Sequence, residues 1–158
     1  MNDKTKTVCF SGHRTFHDPK AEIEKSLEAV IRKCIESGSE RFITGGALGF
    51  DTLAALTVIR LRQEFPQIQL ILALPCPPNE QMLKWTEEQK NEYQKILGLA
   101  DDVKVLSEKY TEKCMLERNK YMVDNSCKLI HYLRSDGRSG TKQTVNYAIK
   151  QGVELIGI

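Results

Sequence analysis

The feature that most constrains this chain is a hydrophobic period that switches back and forth along its whole length. Six short apolar runs, at residues 7–12 (TVCFSG), 41–44 (RFIT), 68–75 (IQLILALP), 102–106 (DVKVL), 127–133 (CKLIHYL) and 153–158 (VELIGI), alternate with five segments of helical spacing. In residues 19–38, for instance, Ile23, Leu27, Val30, Ile31 and Cys34 recur at helical intervals between Pro19 and Gly38. Those two residues suit a helix start and a helix stop. Runs of this kind, separated by helices, are βαβ units, whose right-handed crossovers build a parallel sheet covered on both faces. The expected architecture is α/β: a single doubly wound, mostly parallel sheet with helices on both faces, in one domain over residues 1–158. No linker, repeat or low-complexity tract interrupts it.

In such sheets ligands bind beyond the carboxyl ends of the strands, where the strand order reverses. Three loops there share one chemistry: Ser11–Arg14 (SGHR), Thr44–Asp51 (TGGALGFD) and Arg134–Thr141 (RSDGRSGT). Glycine without Cβ lets backbone N–H groups reach a ligand, and a helix N-terminus adds unsatisfied donors and partial positive charge. Serine and threonine add hydroxyls, and Arg14 and Arg138 can fork onto phosphate or carboxylate. Ser11, Gly12, Arg14, Gly45, Gly46, Gly49, Asp51, Ser139, Gly140 and Thr141 are therefore candidates for a phosphate cradle. The loops match neither the GK[ST] of a P-loop nor the dinucleotide GxGxxG.

On the helical segment 111–126, with Thr111 as its expected cap, Leu116, Met122 and Val123 form the expected buried stripe. Arg118 and Asn119 precede the last glycine loop by one unit and are candidate ligand contacts. Read alone, Arg118 is rather a solvated residue or a partner of Glu117 or Glu112.

Charged residues make up 28% of the chain, but the net charge is only +2, which argues against a dedicated nucleic-acid binder. No apolar run approaches the roughly 20 residues of a membrane helix. The N-terminal residues lack the apolar stretch of a secretory signal, so a cytoplasmic location is expected. The five cysteines (Cys9, Cys34, Cys76, Cys114, Cys127) contain no CxxC pair, so reduced thiols are expected and neither disulfides nor a metal site. His13 and His17 lie in a loop segment and do not form a helical metal pair. Cys76 has no histidine paired with it in sequence, so a nucleophilic role is disfavoured. In residues 74–85, Trp85 either stacks on a base or packs its loop to the core.

GGALGFD, MLERNKYMVDNS and SGTKQTVNYA together resemble the SLOG superfamily, the Rossmann-like group that joins the Smf/DprA proteins and the LOG phosphoribohydrolases. The SGHR start makes the chain most similar to the small, stand-alone YpsA-like branch, and the resemblance covers essentially all of it. It implies a Rossmann-like domain that binds a nucleotide or nucleotide-derived, ADP-ribose-like ligand. Gly45, Gly46 and Gly49 would form one binding loop and Ser139, Gly140 and Thr141 another, while Arg118 matches the LOG arginine. A homodimer is also implied. LOG enzymes carry a glutamate three residues after the GT threonine, and here that position is Thr144, preceded by Gln143. Neither can stabilise a developing oxocarbenium ion as a carboxylate does. The PGG of the motif is altered to DGRSG, with Gly137 and Gly140 keeping a flexible turn.

The expectation is therefore non-catalytic binding or sensing of a nucleotide, with no cofactor required. The alternative is a LOG-like hydrolase of the N-glycosidic bond of a nucleoside 5'-monophosphate. Its catalytic groups would come from Arg118, Asp51, Glu117 or Asp124, and Glu117 and Asp124, one heptad apart, could face the same side. DNA binding like that of the DprA side is disfavoured by the charge and by the lack of accessory domains.

Overall fold

A computed structural model describes residues 3–134 and 138–158. Six strands form one fully parallel sheet: β1 (Thr7–Gly12), β2 (Arg41–Thr44), β3 (Gln69–Leu74), β4 (Asp102–Val105), β5 (Lys128–Tyr132) and β6 (Glu154–Gly157). Their order is β4-β3-β2-β1-β5-β6. Helices α1 (Lys20–Glu36), α2 (Phe50–Glu64), α4 (Glu87–Leu99), α5 (Cys114–Asp124) and α6 (Gly140–Lys150) correspond to the five helical patterns. A further single turn, α3 (Pro78–Gln81), lies within the proline-rich stretch after β3.

Period-two alternation divides the sheet's side chains between two cores. Val8, Phe10, Phe42, Leu70, Leu72, Leu74, Ile130 and Tyr132 face one side, under α1, α2 and α4. Cys9, Ile43, Ile71, Ala73 and Leu129 face the other, under α5 and α6. Burial on both faces explains why the strands read as continuous apolar runs rather than alternating ones.

The chain moves outward from β1 through β2, β3 and β4, then crosses to β5 on the other side of β1. Val8 pairs with Phe42 of β2 and with Lys128 of β5. The strand order therefore reverses between β1 and β5, and the crevice of a doubly wound sheet opens there.

Two local readings of α5 are corrected. The helix begins at Cys114 with Lys113 as cap, and the Cys114 N–H reaches back to the Thr111 carbonyl at 3.3 Å, so Thr111 belongs to a preceding turn. Its sheet-facing stripe is Cys114, Arg118, Met122 and Val123, while Leu116 is 38% exposed. The i, i+4 spacing through 114, 118 and 122 puts the arginine, not the leucine, on the inside.

Candidate functional site

A cavity of about 290 Å³ opens at the carboxyl end of the sheet, at the reversal point. Ser11, Gly12 and Arg14 reach it from β1, Asp51 from the first turn of α2, Arg118 and Asn119 from α5, and Ser139, Gly140 and Thr141 from the start of α6. Nine residues expected at the site from the sequence thus line one space.

Gly45, Gly46 and Gly49 do not line it, and each has a packing reason to lack a side chain. A Cβ on Gly45 would stand 2.5 Å from an Arg118 guanidinium nitrogen and 2.8 Å from Asp51 Oδ2. Gly46 has φ +71°, and its missing Cβ would point away from the cavity, 2.8 Å from Leu74 and 3.2 Å from Tyr93. Gly49 has φ +79° and lies where a Cβ would strike the backbone of Arg14. The Phe50 N–H donates to the His13 carbonyl at 3.1 Å beside it. Gly49 therefore lets the loop after β1 settle onto the start of α2, which fixes the Arg14 backbone. Of this glycine-rich loop, Ala47 reaches the cavity wall.

The N-terminus of α2 already has a carboxyl group of its own. Asp51, 5% exposed, accepts the Ala47 N–H at 3.2 Å. Burial pushes its carboxyl above the usual carboxylate range, against the opposing pull of Arg118, the Ala47 and Gly45 amides and Arg14. Arg118, 4% exposed, donates to the carbonyls of Gly45 and of Ala73 (3.3 Å for the latter). Its Nε donates to Asn119 Oδ1 at 2.8 Å, and burial holds the guanidinium below its ordinary range. Arg118 thus ties α5 to the ends of β2 and β3 while its face forms part of the cavity floor. It is neither a solvated residue nor a partner of Glu117 or Glu112.

The start of α6 is chemically open. Ser139 Oγ accepts the Lys142 N–H at 3.0 Å and the Ser139 carbonyl accepts that of Gln143 at 3.0 Å. The amides of Gly140 and Thr141 have no hydrogen-bond partner among the described residues, and both residues line the cavity. Arg14 is exposed, and its guanidinium makes no hydrogen bond or ion pair among the described residues. Arg138 is exposed and absent from the lining, and Gly137 lies outside the described residues.

The candidate carboxylates separate. Only Asp51 lines the cavity; Glu117 and Asp124 are both exposed, and Asp124 accepts the Tyr147 hydroxyl at 2.7 Å. Thr144 is buried and donates its hydroxyl to the Gly140 carbonyl at 2.8 Å. Cys76 is buried and its thiol is pushed up by burial, which suits a packing residue. Among the described residues no His, Cys, Asp and Glu cluster could hold a metal ion.

The sequence reading missed Phe10, His13, Met115 and Met122 in the lining. Positions 115, 118, 119 and 122 form one i, i+3, i+4, i+7 stripe, so the two methionines follow once Arg118 and Asn119 are taken as site residues. His13 accepts the Arg134 N–H on Nε2 at 2.9 Å, joining the loops after β1 and β5. Beside it, Tyr132 donates to Asp18 at 2.7 Å and accepts the His17 N–H at 2.9 Å.

Among the described residues no helix is long and apolar enough to cross a membrane. The structure is similar to that of DNA processing protein A from Helicobacter pylori, with a TM-score of 0.66 and 19% identity over 98% of this chain and 65% of that one. That protein was solved for its single-stranded DNA binding mode. The likeness overturns the expectation against a nucleic-acid partner, because a protein with this fold binds single-stranded DNA. The error lay in reasoning from net charge, when binding depends on local groups and their field.

In sequence the chain is 36% identical over 142 residues to the SPbeta prophage-derived protein YoqJ of Bacillus subtilis, covering 82% of this chain and 81% of that one. It is 38% identical over 106 residues to a UPF0398 protein of Halalkalibacterium halodurans, of which it spans 55%. The YpsA family model, described as the YspA SLOG family, matches residues 10–154, and with the cavity at the strand-order reversal this means that the chain belongs to the YspA SLOG family.

Proposed function

We propose that the chain binds a nucleotide or nucleotide-derived ligand, ADP-ribose-like ligands included, and does not turn it over. The observation that carries this reading is the open first turn of α6, where the Gly140 and Thr141 amides meet the cavity with the unpaired Arg14 nearby. Free amides at a helix N-terminus favour an anion such as phosphate. Met115, Met122 and Phe10 supply an apolar wall, and Ser11, Asn119 and Asp51 supply hydrogen-bonding groups for a sugar or base. The DNA-binding activity of the Helicobacter protein supports nucleotide-containing ligands as a class.

The hydrolase reading is weaker, because position 144 offers a buried hydroxyl and, of the three candidate carboxylates, only Asp51 faces the cavity. A homodimer and a cytoplasmic location belong to the same proposal. Apolar residues left exposed on α5 and α6 (Leu116 and Ile149) support the first, and five free cysteines the second. Isothermal calorimetry with AMP, ADP, ADP-ribose and short single-stranded DNA tests the binding reading, and no heat from any of them at millimolar concentration would sink it. Light scattering of the purified protein reads its mass, and a monomer would remove the dimer.

A further inference from the structure

A second cavity, of about 630 Å³, adjoins the first. The two share Arg14 and Met115 in their walls. Trp85, Tyr110, Leu48 and Gln81 are among the other residues that border the second, together with the charged Glu80 and Lys84. Small-molecule pockets run from about 300 to 1,000 Å³, so the first cavity alone is at the small end of that range.

The aromatic wall is built and held. Trp85 is half-buried and packs edge-on against Tyr93, with centroids 5.0 Å apart and ring planes at 69°. Tyr93 donates its hydroxyl to Gln81 at 2.6 Å, and Gln81, 9% exposed, donates to the Gly46 carbonyl at 3.3 Å. A continuous chain of contacts therefore ties the tryptophan to the glycine loop of the first cavity. Tyr110 is 56% exposed, with its backbone N–H held by Glu80 at 3.1 Å. Arg14, in the shared wall, makes no hydrogen bond or ion pair among the described residues and sits on a backbone pinned against Gly49.

We propose that the second cavity is a nucleobase subsite, so that the ligand is a pair of nucleosides joined through phosphate. One nucleotide occupies the first cavity with its phosphate at the start of α6. The linking phosphate passes Arg14, and the second base stacks against Trp85 and Tyr110. Aromatic side chains serve this purpose because every base has a π-face. The proposal rests on the nucleotide reading of the first cavity and deepens it. The linkage can be a phosphodiester, as in a single strand, or a pyrophosphate, as in a dinucleotide cofactor.

Trp85 is the chain's single tryptophan, so its fluorescence reports on this cavity alone. Three probes are titrated into the whole protein while its emission is followed: AMP, the 5'-phosphorylated dinucleotide pApA and NAD. Calorimetry supplies the affinities. AMP is expected to bind with little change in emission. At least one of the two-base probes is expected to quench Trp85 and to bind about tenfold more tightly, since stacking contributes roughly that factor or more per base. Which probe does so identifies the linkage. Trp85→Leu and, at the exposed edge, Tyr110→Ala should each erase the two-base advantage and leave AMP affinity unchanged. Equal affinity for all three probes without quenching overturns the subsite and leaves the nucleotide reading standing. So does a Trp85→Leu and Tyr110→Ala pair that keeps the two-base advantage. No binding by any probe overturns both.

Discussion

At residue scale, the three glycines after β2 are set by the groups packed against them. Gly46 combines φ +71° with the Leu74 and Tyr93 side chains where its Cβ would be. Gly46→Val is therefore expected to lower stability by about 2–4 kcal/mol through backbone strain and overpacking. Urea denaturation measures this, and a variant as stable as the parent would show that the loop shifts freely. Arg118 behaves similarly. Arg118→Met strips the Gly45 and Ala73 carbonyls of a donor and leaves buried Asp51 without its nearby cation. The expected loss is about 3–5 kcal/mol, because a buried charge is left uncompensated. A loss below 1 kcal/mol, measured the same way, would show that water replaces the guanidinium at little cost. The residue types at the site were legible in the sequence: loops of glycine, hydroxyl and arginine after apolar runs. The direction in which each glycine lacks a side chain was not, because it depends on neighbours such as Tyr93 and Arg14 that arrive from distant parts of the chain.

At the scale of elements, α6 determines what can be restored by mutation. Thr144 is buried with its hydroxyl on the Gly140 carbonyl, one turn below the open amides. Thr144→Glu is expected to lower the melting temperature, since it buries a carboxylate without a partner. It is not expected to release base from AMP, and chromatography after overnight incubation checks this. The loops after β1 and β5 are joined where neutral His13 accepts the Arg134 N–H. Burial, then His17 and Arg134, hold the His13 pKa below 6.5, and burial does the same to His131. A histidine with a depressed folded-state pKa contributes stability above its unfolded value and loses it as pH falls through the folded one. Stability should therefore decline below about pH 6.5 as these imidazoles charge. Asp51, whose pKa is raised, works in the opposite sense, so the difference between the parent and His13→Gln isolates the histidine. Chemical denaturation at pH 7.5 and 5.5 should show a shallower decline in the variant; identical declines would remove His13 from the account. Element types and order were legible from periodicity, whereas the start of α5 was not. Thr111 resembles a cap in sequence, but Cys114, Arg118 and Met122 are the residues that meet the sheet.

At the scale of the whole molecule, the doubly wound parallel sheet was legible because burial on both faces leaves continuous apolar runs. The position of the cavity followed from the rule that ligands sit where strand order reverses. A net charge of +2 does not exclude a nucleic-acid partner, because it averages over groups that can differ locally. A nucleotide ligand at about a hundred times its dissociation constant should stabilise the fold by roughly 2.7 kcal/mol. Scanning calorimetry should record this as a rise of several degrees in melting temperature, and an unchanged melting temperature across the panel would count against the binding reading.

The central position of β1 also bears on how the chain is made. β1 leaves the ribosome before every other strand of the sheet, yet one of its two neighbours is β5, which pairs Val8 with Lys128. Until β5 has been synthesised, β1 can pair only with β2, and its other edge stays open. The nascent chain therefore carries an apolar strand with unpaired backbone until β5 emerges, the kind of surface that chaperones cover and that aggregation exploits. Completing the sheet is a late, long-range event, and the candidate ligand cavity, which draws on both β1 and α6, comes into being only with it.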